Sequence, residues 1–243
     1  QALEDRSVID PPSSLYPSLT IDDAYLVSLR FLENRLADDG NIVGRKIGLT
    51  NQKMQRYFGI SEPGFGYLLD TMVYPCGGDI PVSDLLIQPK IEGEIAFILG
   101  EAIEGPGVTE AEVLVATEFV TPCFELADSR IRRWEINVLD FAADNGCGGL
   151  FVMSESRIDP KSLDLPSCKM MLKENDRIVS EGQGTEVLGS PAKCVAWLAN
   201  KLGKLEAGDI VLSGSLGPVI DARRDAELEL SISGMGAVTI RLT

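Results

Sequence analysis

The stretch PKIEGEIAFIL, residues 89–99, combines the pattern of a buried strand with two carboxylates. Side chains alternate along a strand, so Glu92 and Glu94 share one face, about 6.5–7 Å apart. Two ionised carboxylates at that distance repel each other, and burial increases the cost. The pair must lie on a solvated edge, keep one member protonated, or hold a divalent cation. Gly93, between them, favours a bound ligand because glycine lets a ligand approach the backbone.

A third carboxylate, Glu125, stands near the end of another strand-like run, EFVTPCFEL at 118–126. Three carboxylate ligands without histidine or cysteine select a hard ion such as Mg²⁺ or Mn²⁺. The chain has no histidine, which excludes Ser-His-Asp catalysis, Cys-His catalysis and imidazole metal sites. Its chemistry must use carboxylates, lysine, thiols, hydroxyl groups, water or a hard metal ion.

Three further segments each allow a structural and a functional interpretation. Lys46, in VGRKIGLT at 43–50, is either a strand-end lysine that reaches solvent or a desolvated lysine with a lowered pKa. The second form could transfer protons. The N–H groups around Gly214, in VLSGSLGPV at 211–219, either cradle a carboxylate or form a tight bend. LADSRIRRW at 126–134 is a solvated charged turn, a carboxylate clamp or a subunit contact.

Capping residues and apolar spacing predict an α+β fold that is mainly β, with helices covering a curled sheet. Helices are expected from Thr20 to Gly40, over 51–58, from Thr109 through Ala116 and over 191–202. Strands are expected at 43–48, 91–99, 117–125, 149–153, 168–173, 177–181, 209–213, 227–233 and 237–242. A hairpin turn is expected at Asn175-Asp176. Residues 1–42 should form a helical N-terminal segment, although prolines at 11, 12 and 17 argue against a regular helix before residue 20.

The composition of the chain restricts its partners. A net charge of −15 disfavours nucleic acid, whose binding depends on Lys and Arg contacts to phosphate. No run of about 18 apolar residues is present, so no membrane partner is expected. The five cysteines are widely spaced and form no C-x-x-C pair, which predicts free thiols in a reducing cytoplasm.

Six segments occur together in the order and spacing of the 2-hydroxypenta-2,4-dienoate hydratases, from about residue 15 to the end. They are GRKIGLT, EPGFGYLLDTM, PKIEGEIAF, SRIRRW, ADNG and DIVLSGSLGP. The chain resembles these enzymes and, more distantly, the 4-oxalocrotonate decarboxylases and fumarylacetoacetate hydrolases. The resemblance implies a fumarylacetoacetase-like mixed β-roll, with residues 43–243 as the catalytic domain.

The resemblance also implies roles for individual residues. Glu92, Glu94 and Glu125 would hold Mg²⁺ or Mn²⁺, and Lys46 would be the catalytic lysine. The expected substrate-binding residues are Asn145, Cys147, Ser213 and Gly214. The substrate would be a 2-hydroxy-2,4-dienoate or its 2-oxo tautomer, from aromatic meta-cleavage, hydrated to a 4-hydroxy-2-oxo acid. A homo-oligomer is expected, with association with a pathway enzyme as a further option.

Two departures from the hydratase pattern keep other functions open. Gly64 stands where these enzymes usually carry an aspartate, and Cys147 stands where they usually carry a serine. Glycine performs no acid–base chemistry, so Glu62 or Asp70 would have to replace the aspartate. The alternatives are a 4-oxalocrotonate-type decarboxylase, a carbon–carbon hydrolase and a non-catalytic partner subunit. The absence of histidine disfavours the hydrolase, and the intact glutamates and lysine disfavour the non-catalytic subunit.

Overall fold

A computed structural model of the chain describes residues 2–36 and 40–243. The helices are α1 Pro12–Leu15, α2 Ile21–Leu36, α3 Gln52–Phe58, α4 Val82–Leu85, α5 Glu110–Ala116, α6 Val138–Ala143 and α7 Pro191–Leu202. The first strands are β1 Ile42–Gly48, β2 Gly64–Leu69, β3 Asp79–Ile80, β4 Pro89–Leu99, β5 Ile103–Glu104, β6 Thr117–Asp128 and β7 Leu150–Met153. The remaining strands are β8 Lys169–Glu174, β9 Arg177–Gln183, β10 Lys204–Leu205, β11 Ile210–Leu212, β12 Ile220–Asp221, β13 Glu227–Ile232 and β14 Gly236–Leu242. This mixed, mainly β architecture confirms the predicted fold class.

A seven-stranded sheet forms the centre of the molecule, with the strand order β2-β1-β11-β4-β6-β7. The seventh strand, β12, pairs with β4 beside this path. Within the sheet β1 and β11 run parallel, and the other neighbours are antiparallel. The longest pairing joins β4 to β6, from Pro89 opposite Asp128 to Leu99 opposite Thr117. The β4–β6 pair is therefore the longest continuous part of the sheet, and other elements pack against both of its faces.

One face of the β4–β6 pair packs against a second sheet of five strands, ordered β3-β14-β13-β8-β9. Ile95, Phe97 and Phe124 point into the apolar core that the two sheets share. Gly93 lies on this face, because a Cβ there would come within 2.7 Å of Leu230 Cδ1. The expectation that Gly93 admits a ligand is therefore wrong: the glycine lets the second sheet approach.

The opposite face of the β4–β6 pair is covered by helices. A second apolar cluster lies there, made of Leu32, Leu68, Leu69, Met72, Ala96, Cys123, Phe151 and Leu212. Helix α2 contributes Leu32 to this cluster and packs Ala24 against Ala142 and Ala143 of α6. The N-terminal helix thus covers the sheet directly, and its separation as a segment ending at residue 42 stays a prediction.

The predicted helix starts agree well with the structure, and one exclusion does not. Thr20 and Asp23 exchange backbone hydrogen bonds with each other's side chains at the start of α2, as a capping box requires. Helix α2 is described as far as Leu36. Its expected continuation toward Gly40 runs through residues 37–39, which lie outside the described residues. The prolines before residue 20 do not prevent helix α1, because Pro12 occupies its first turn, where proline is tolerated.

The predicted hairpin turn at Asn175-Asp176 is confirmed. Both residues have positive φ, 48° and 65°, and they join β8 to β9. Such a turn matches the twist of the strands that it connects. Over residues 2–36 and 40–243, no helix is both long enough and apolar enough to cross a membrane.

Candidate metal centre and active site

The three glutamates are brought together by the register of β4 and β6. Glu92 lies directly opposite Glu125, and Glu94 lies opposite Cys123, two residues further along. Directly opposed side chains in an antiparallel pair have Cβ atoms about 4.5–5.5 Å apart. One carboxylate oxygen from each glutamate lies within 4.8 Å of the others. The predicted convergence of these three side chains is therefore present in the fold.

The glutamate cluster is largely buried and poor in hydrogen-bond donors. Glu94 and Glu125 are 0% and 1% exposed, and Glu92 is partly exposed. Oε1 of Glu94 and Oε2 of Glu125 have no hydrogen-bond partner, and the contact of Glu125 Oε1 is an ion pair with Nζ of Lys46 at 3.0 Å. Buried carboxylates without partners carry a large desolvation cost unless a positive charge compensates. The solvated-edge interpretation is therefore wrong for Glu94, and the oxygen-only ligand set of the three glutamates suits a hard divalent cation.

The backbone of the loop after β11 contributes one donor to the cluster. The N–H of Gly214 donates a hydrogen bond of 2.7 Å to Oε2 of Glu94. Gly214 has a φ of 100°, which glycine adopts without strain, and a Cβ there would lie 2.5 Å from Thr50 Oγ1. The N–H that was expected to hold a substrate carboxylate orients a protein carboxylate instead. A substrate contact at Gly214 stays a prediction and would have to use another atom.

Burial and mutual repulsion favour the protonated forms of two of these glutamates. Burial raises the pKa of Glu92 to about 7, against an opposing effect of Lys46. Burial, followed by the charges of Glu125 and Glu92, raises the pKa of Glu94 well above its usual value. The chain alone therefore holds more protons at this site than free carboxylates would. A cation that binds the ionised carboxylates must displace these protons.

Lys46 provides the positive charge next to the glutamates. Its position on β1 is in register with Leu212 and, one strand further, with Ala96. The side chain is 2% exposed, so the solvent-reaching interpretation is wrong. Its Nζ forms an ion pair with Oε1 of Glu125 at 3.0 Å and donates to the carbonyl of Gly146 at 3.0 Å.

The charge state of Lys46 differs from the expectation of a lowered pKa. Burial acts to lower the Lys46 pKa, but Glu125, Glu92 and Glu94 together raise it above its ordinary value. The protein charges therefore keep this lysine as an ammonium ion. Positive charge added at the carboxylates would weaken that effect and leave burial as the dominant influence.

The other predicted substrate-binding residues lie around the cluster with different partners. Asn145 is pinned to β2, because its amide oxygen accepts from the N–H of Tyr67 at 2.8 Å and its amide nitrogen donates to the Tyr67 carbonyl at 3.0 Å. Cys147 is buried, and burial raises the pKa of its thiol well above the usual value, so it is a neutral thiol. Ser213 is fully buried, and its hydroxyl has no hydrogen-bond partner. Of these three side chains, only Ser213 has a polar group that is both buried and unpartnered.

The arginine-rich segment has a structural role at its first arginine. Arg130 is buried, and its Nε donates to Asp144 Oδ1 at 2.6 Å. The guanidinium also donates to the carbonyls of Asp128 and Gly148 at 2.6 and 2.8 Å. This residue clamps a carboxylate of its own chain, which ties the end of β6 to the turn after α6.

Glu62 and Asp70, the two residues expected to replace the aspartate of the hydratases, do not belong to the glutamate cluster. Glu62 is half exposed and forms an ion pair with Lys201 at 2.8 Å. Asp70 accepts from the backbone and side-chain nitrogens of Asn41 at 3.0 and 2.9 Å. Both carboxylates are already engaged on the surface.

Two aromatic residues at this site were not found from the sequence. Phe141 of α6 has its ring centroid 5.6 Å from Lys46 Nζ. Tyr25 of α2 stacks on Phe65, with ring centroids 4.5 Å apart. The available signal was weak: α6 is only six residues long, and Tyr25 fits the ordinary apolar stripe of α2.

Comparison with known proteins supports the family expected from the sequence. The model of the fumarylacetoacetate hydrolase C-terminal family matches residues 45–243, which is most of the chain. The chain belongs to this family.

Two proteins with sequences similar to this chain are named as hydratases. The chain is 49% identical to a 2-hydroxypent-2,4-dienoate hydratase of Pseudomonas putida, over 84% of this chain and 91% of the relative. It is 42% identical to a 2-hydroxyhexa-2,4-dienoate hydratase of Comamonas testosteroni, over 100% of this chain and 94% of the relative.

Solved structures share the fold of this family member. The 4-oxalocrotonate decarboxylase of Pseudomonas putida G7, complexed with magnesium and adipate, has a TM-score of 0.95 at 29% identity. That comparison covers 100% of this chain and 93% of the decarboxylase. Fumarylpyruvate hydrolase of Pseudomonas aeruginosa, complexed with Mn²⁺ and pyruvate, has a TM-score of 0.66 at 14% identity, over 82% and 88% of the two chains. The second likeness shows the fold alone.

Added Mg²⁺ should stabilise this family member more at high pH than at low pH. The pKa of Glu92 is raised to about 7 and that of Glu94 lies well above its usual value, so the metal-free fold loses stability as pH rises and these carboxylates ionise. A cation binds these ionised forms, so saturating Mg²⁺ should raise the melting temperature by about 5–10 °C at pH 8 and by little at pH 5.5. Thermal melts at both pH values measure the difference. Glu94→Gln is the control variant and should lose the gain; a gain independent of pH and of Glu94 would contradict this site.

Proposed function

We propose that the chain is a divalent-cation-dependent hydro-lyase that adds water to a 2-hydroxy-2,4-dienoate and releases a 4-hydroxy-2-oxo acid. The observation that carries the proposal is the cluster of buried, unpartnered carboxylate oxygens beside the buried ammonium of Lys46. The names of the two hydratase relatives support the substrate class. The substrate family is the one expected from aromatic meta-cleavage.

Glu92, Glu94 and Glu125 would hold the cation, since one oxygen of each converges on the same place and oxygens of Glu94 and Glu125 are left without hydrogen-bond partners. Magnesium in one neighbour and manganese in another support this assignment. When bound, Mg²⁺ or Mn²⁺ supplies Lewis-acid stabilisation of negative charge on the oxygens of a 2-oxo acid. Gly214 keeps Glu94 oriented for this role through its N–H.

Lys46 is the proposed proton-transfer residue. Hydration requires the dienol to lose its C2 hydroxyl proton and gain a proton at C5, which gives a 2-oxo-3-enoate. Water then adds its hydroxyl at C4 and a proton at C3. A buried ammonium held by Glu125 and Gly146 is positioned to deliver a proton or to stabilise charge on the substrate oxygen. Its burial also excludes bulk water from the proton path.

Decarboxylation of a 4-oxalocrotonate-type substrate is the second candidate. It is favoured by the TM-score of 0.95 to a decarboxylase and by Gly64, because loss of CO₂ places less demand on an acid–base residue. The higher identity to hydratases, 49% and 42% against 29%, supports hydration as the first candidate.

Two substrate incubations separate these reactions. Purified protein should consume the dienol absorbance of 2-hydroxypenta-2,4-dienoate in the presence of Mg²⁺, without release of CO₂. Incubation with 4-oxalocrotonate tests decarboxylation, because CO₂ is released only in that reaction. Mg²⁺-dependent CO₂ release without hydration would replace the first candidate by the second. No Mg²⁺-dependent change with either substrate would refute the enzymatic proposal.

Replacement of Lys46 by methionine should reduce turnover far more than cation binding. Methionine keeps the apolar stem and removes the ammonium, so kcat should fall by about 10²–10⁴-fold, the usual contribution of a proton-transfer residue. Cation affinity should be retained or increased, since the variant removes a positive charge 3.0 Å from Glu125. Steady-state kinetics and Mn²⁺ titration measure the two effects. Unchanged turnover would remove Lys46 from the mechanism.

We also propose that the chain forms a homo-oligomer through its N-terminal segment. Leu15, Tyr16 and Leu26 of this segment are 59%, 64% and 62% exposed, so three large apolar side chains are in contact with solvent. A second copy that covered these side chains would remove apolar surface from water, which favours association. Light scattering after gel filtration should give a mass above the 26.3 kDa of one chain; a monomeric mass at micromolar concentration would contradict the proposal.

A further inference from the structure

Phe141 is a buried aromatic residue that stands apart from the three apolar clusters. It is 6% exposed, yet it belongs to none of them. Its ring instead covers two glycines that face each other across β1 and β2, Gly48 and Gly64. A Cβ added at either glycine would come within 2.6 Å of the ring. The ring therefore occupies the volume that a side chain at position 48 or 64 would need.

The ring of Phe141 lies next to the lysine of the proposed active site. Its centroid is 5.6 Å from Nζ of Lys46, and the same Nζ is 3.0 Å from Oε1 of Glu125. A dienoate whose 2-oxo acid end lies at the glutamates extends over a comparable distance to its C5 end. Phe141 is therefore close enough to contact the tail of such a substrate.

The two edges of the Phe141 ring have different surroundings: the edge beside Gly48 lies near the Lys46 ammonium, and the edge beside Gly64 lies near an aromatic stack. The hydroxyl of Tyr25 lies 3.6 Å from the Cβ position of Gly64. The Tyr25 ring stacks on Phe65, with 13° between the planes. Burial raises the pKa of Tyr25 to about 12, so this hydroxyl stays neutral. Beside Gly64, the site thus presents aromatic rings and one neutral hydroxyl group.

A carboxylate at the substrate tail would find no free cationic partner among the buried residues that the structure describes. Lys46 and Arg130 are the basic side chains that it places in the buried class. Lys46 is held by Glu125 and Gly146, and Arg130 by Asp144 and two carbonyls. An unpaired carboxylate buried against a phenyl ring carries a desolvation cost that an alkyl group does not.

We propose that Phe141 determines the substrate class of this enzyme, selecting dienoates with hydrogen or a short alkyl group at C5 over those with a carboxylate tail. The inference rests on the proposed function and adds to it the residue that reads the substrate tail. It also assigns a reason to Gly48 and Gly64, which provide the space that the ring fills.

Three substrates and three variants test this role. The substrates are 2-hydroxypenta-2,4-dienoate, 2-hydroxyhexa-2,4-dienoate with its methyl tail, and 2-hydroxymuconate with its carboxylate tail. The unmodified enzyme should favour the methyl tail over the carboxylate tail by at least about 100-fold in kcat/KM, within the range that pocket contacts provide. Consumption of each dienol with saturating Mg²⁺ gives the values.

Phe141→Ala should lower kcat/KM for the methyl-tailed substrate about tenfold more than for the unsubstituted one, because the lost ring contact is made by the tail. It should also narrow the preference over 2-hydroxymuconate, because water can then solvate the carboxylate. Phe141→Leu keeps much of the apolar volume in case the alanine variant fails to fold, and it should retain the preference. Leu139→Ala is the matched control: it removes a similar side chain from α6 at the cluster with Ala24 and should leave both ratios unchanged.

The outcomes separate this inference from the proposed function. Hydration of pentadienoate with equal acceptance of the carboxylate tail would overturn the role of Phe141 and leave the hydratase proposal intact. Equal losses on all substrates in Phe141→Ala and Leu139→Ala would also overturn it, since a merely structural residue behaves in that way. No hydration of any dienoate by the unmodified chain would refute the proposed function itself.

Discussion

The site depends on electrostatic repulsion among three glutamates that the sheet forces together. The β4–β6 register places Glu92 directly opposite Glu125, and Glu94 follows on the same face. Backbone hydrogen bonds along two long strands fix this arrangement, so the side chains cannot separate without breaking the pairing. The ammonium of Lys46 and the N–H of Gly214 offset part of the repulsion between the carboxylates. The oxygens left without partners are what a hard cation requires.

Glycines allow the cover over this site to lie close to the sheet. A Cβ at Gly66 would lie 2.2 Å from the carbonyl oxygen of Asn145, so the turn after α6 rests on bare backbone. Gly48 and Gly64 accommodate the ring of Phe141 in the same way. The turn then supplies the carbonyl of Gly146 to Lys46. Strands β1 and β2 therefore position Lys46 and also provide the glycines against which Phe141 and the turn after α6 pack. This cover keeps solvent away from Lys46 and strengthens its electrostatic interactions.

Alternation along strands made the glutamate cluster accessible to sequence reasoning, whereas glycine-rich elements were missed. Glu92 and Glu94 share a face by the two-residue period alone, and Glu125 was recognised as a third acid near the end of a strand-like run. Strand β2 was not predicted, because its sequence GFGYLL lacks clear alternation and contains two glycines. Helix α6 was missed because six residues give too little periodicity. These two elements carry or contact the ring of Phe141, so its role could not be inferred in advance.

Residue types and local spacing are sufficient to predict the fold class, the family resemblance, the carboxylate triad and the exclusion of histidine chemistry. The folded structure, in contrast, sets how polar groups are shared between distant segments. It turned the N–H of Gly214 toward Glu94, engaged the amide of Asn145 with Tyr67, and directed Gly93 to the second sheet. The physical reason is that hydrogen-bond partners and close backbone contacts arise between residues far apart in the chain. No local pattern records which donor meets which acceptor across such separations.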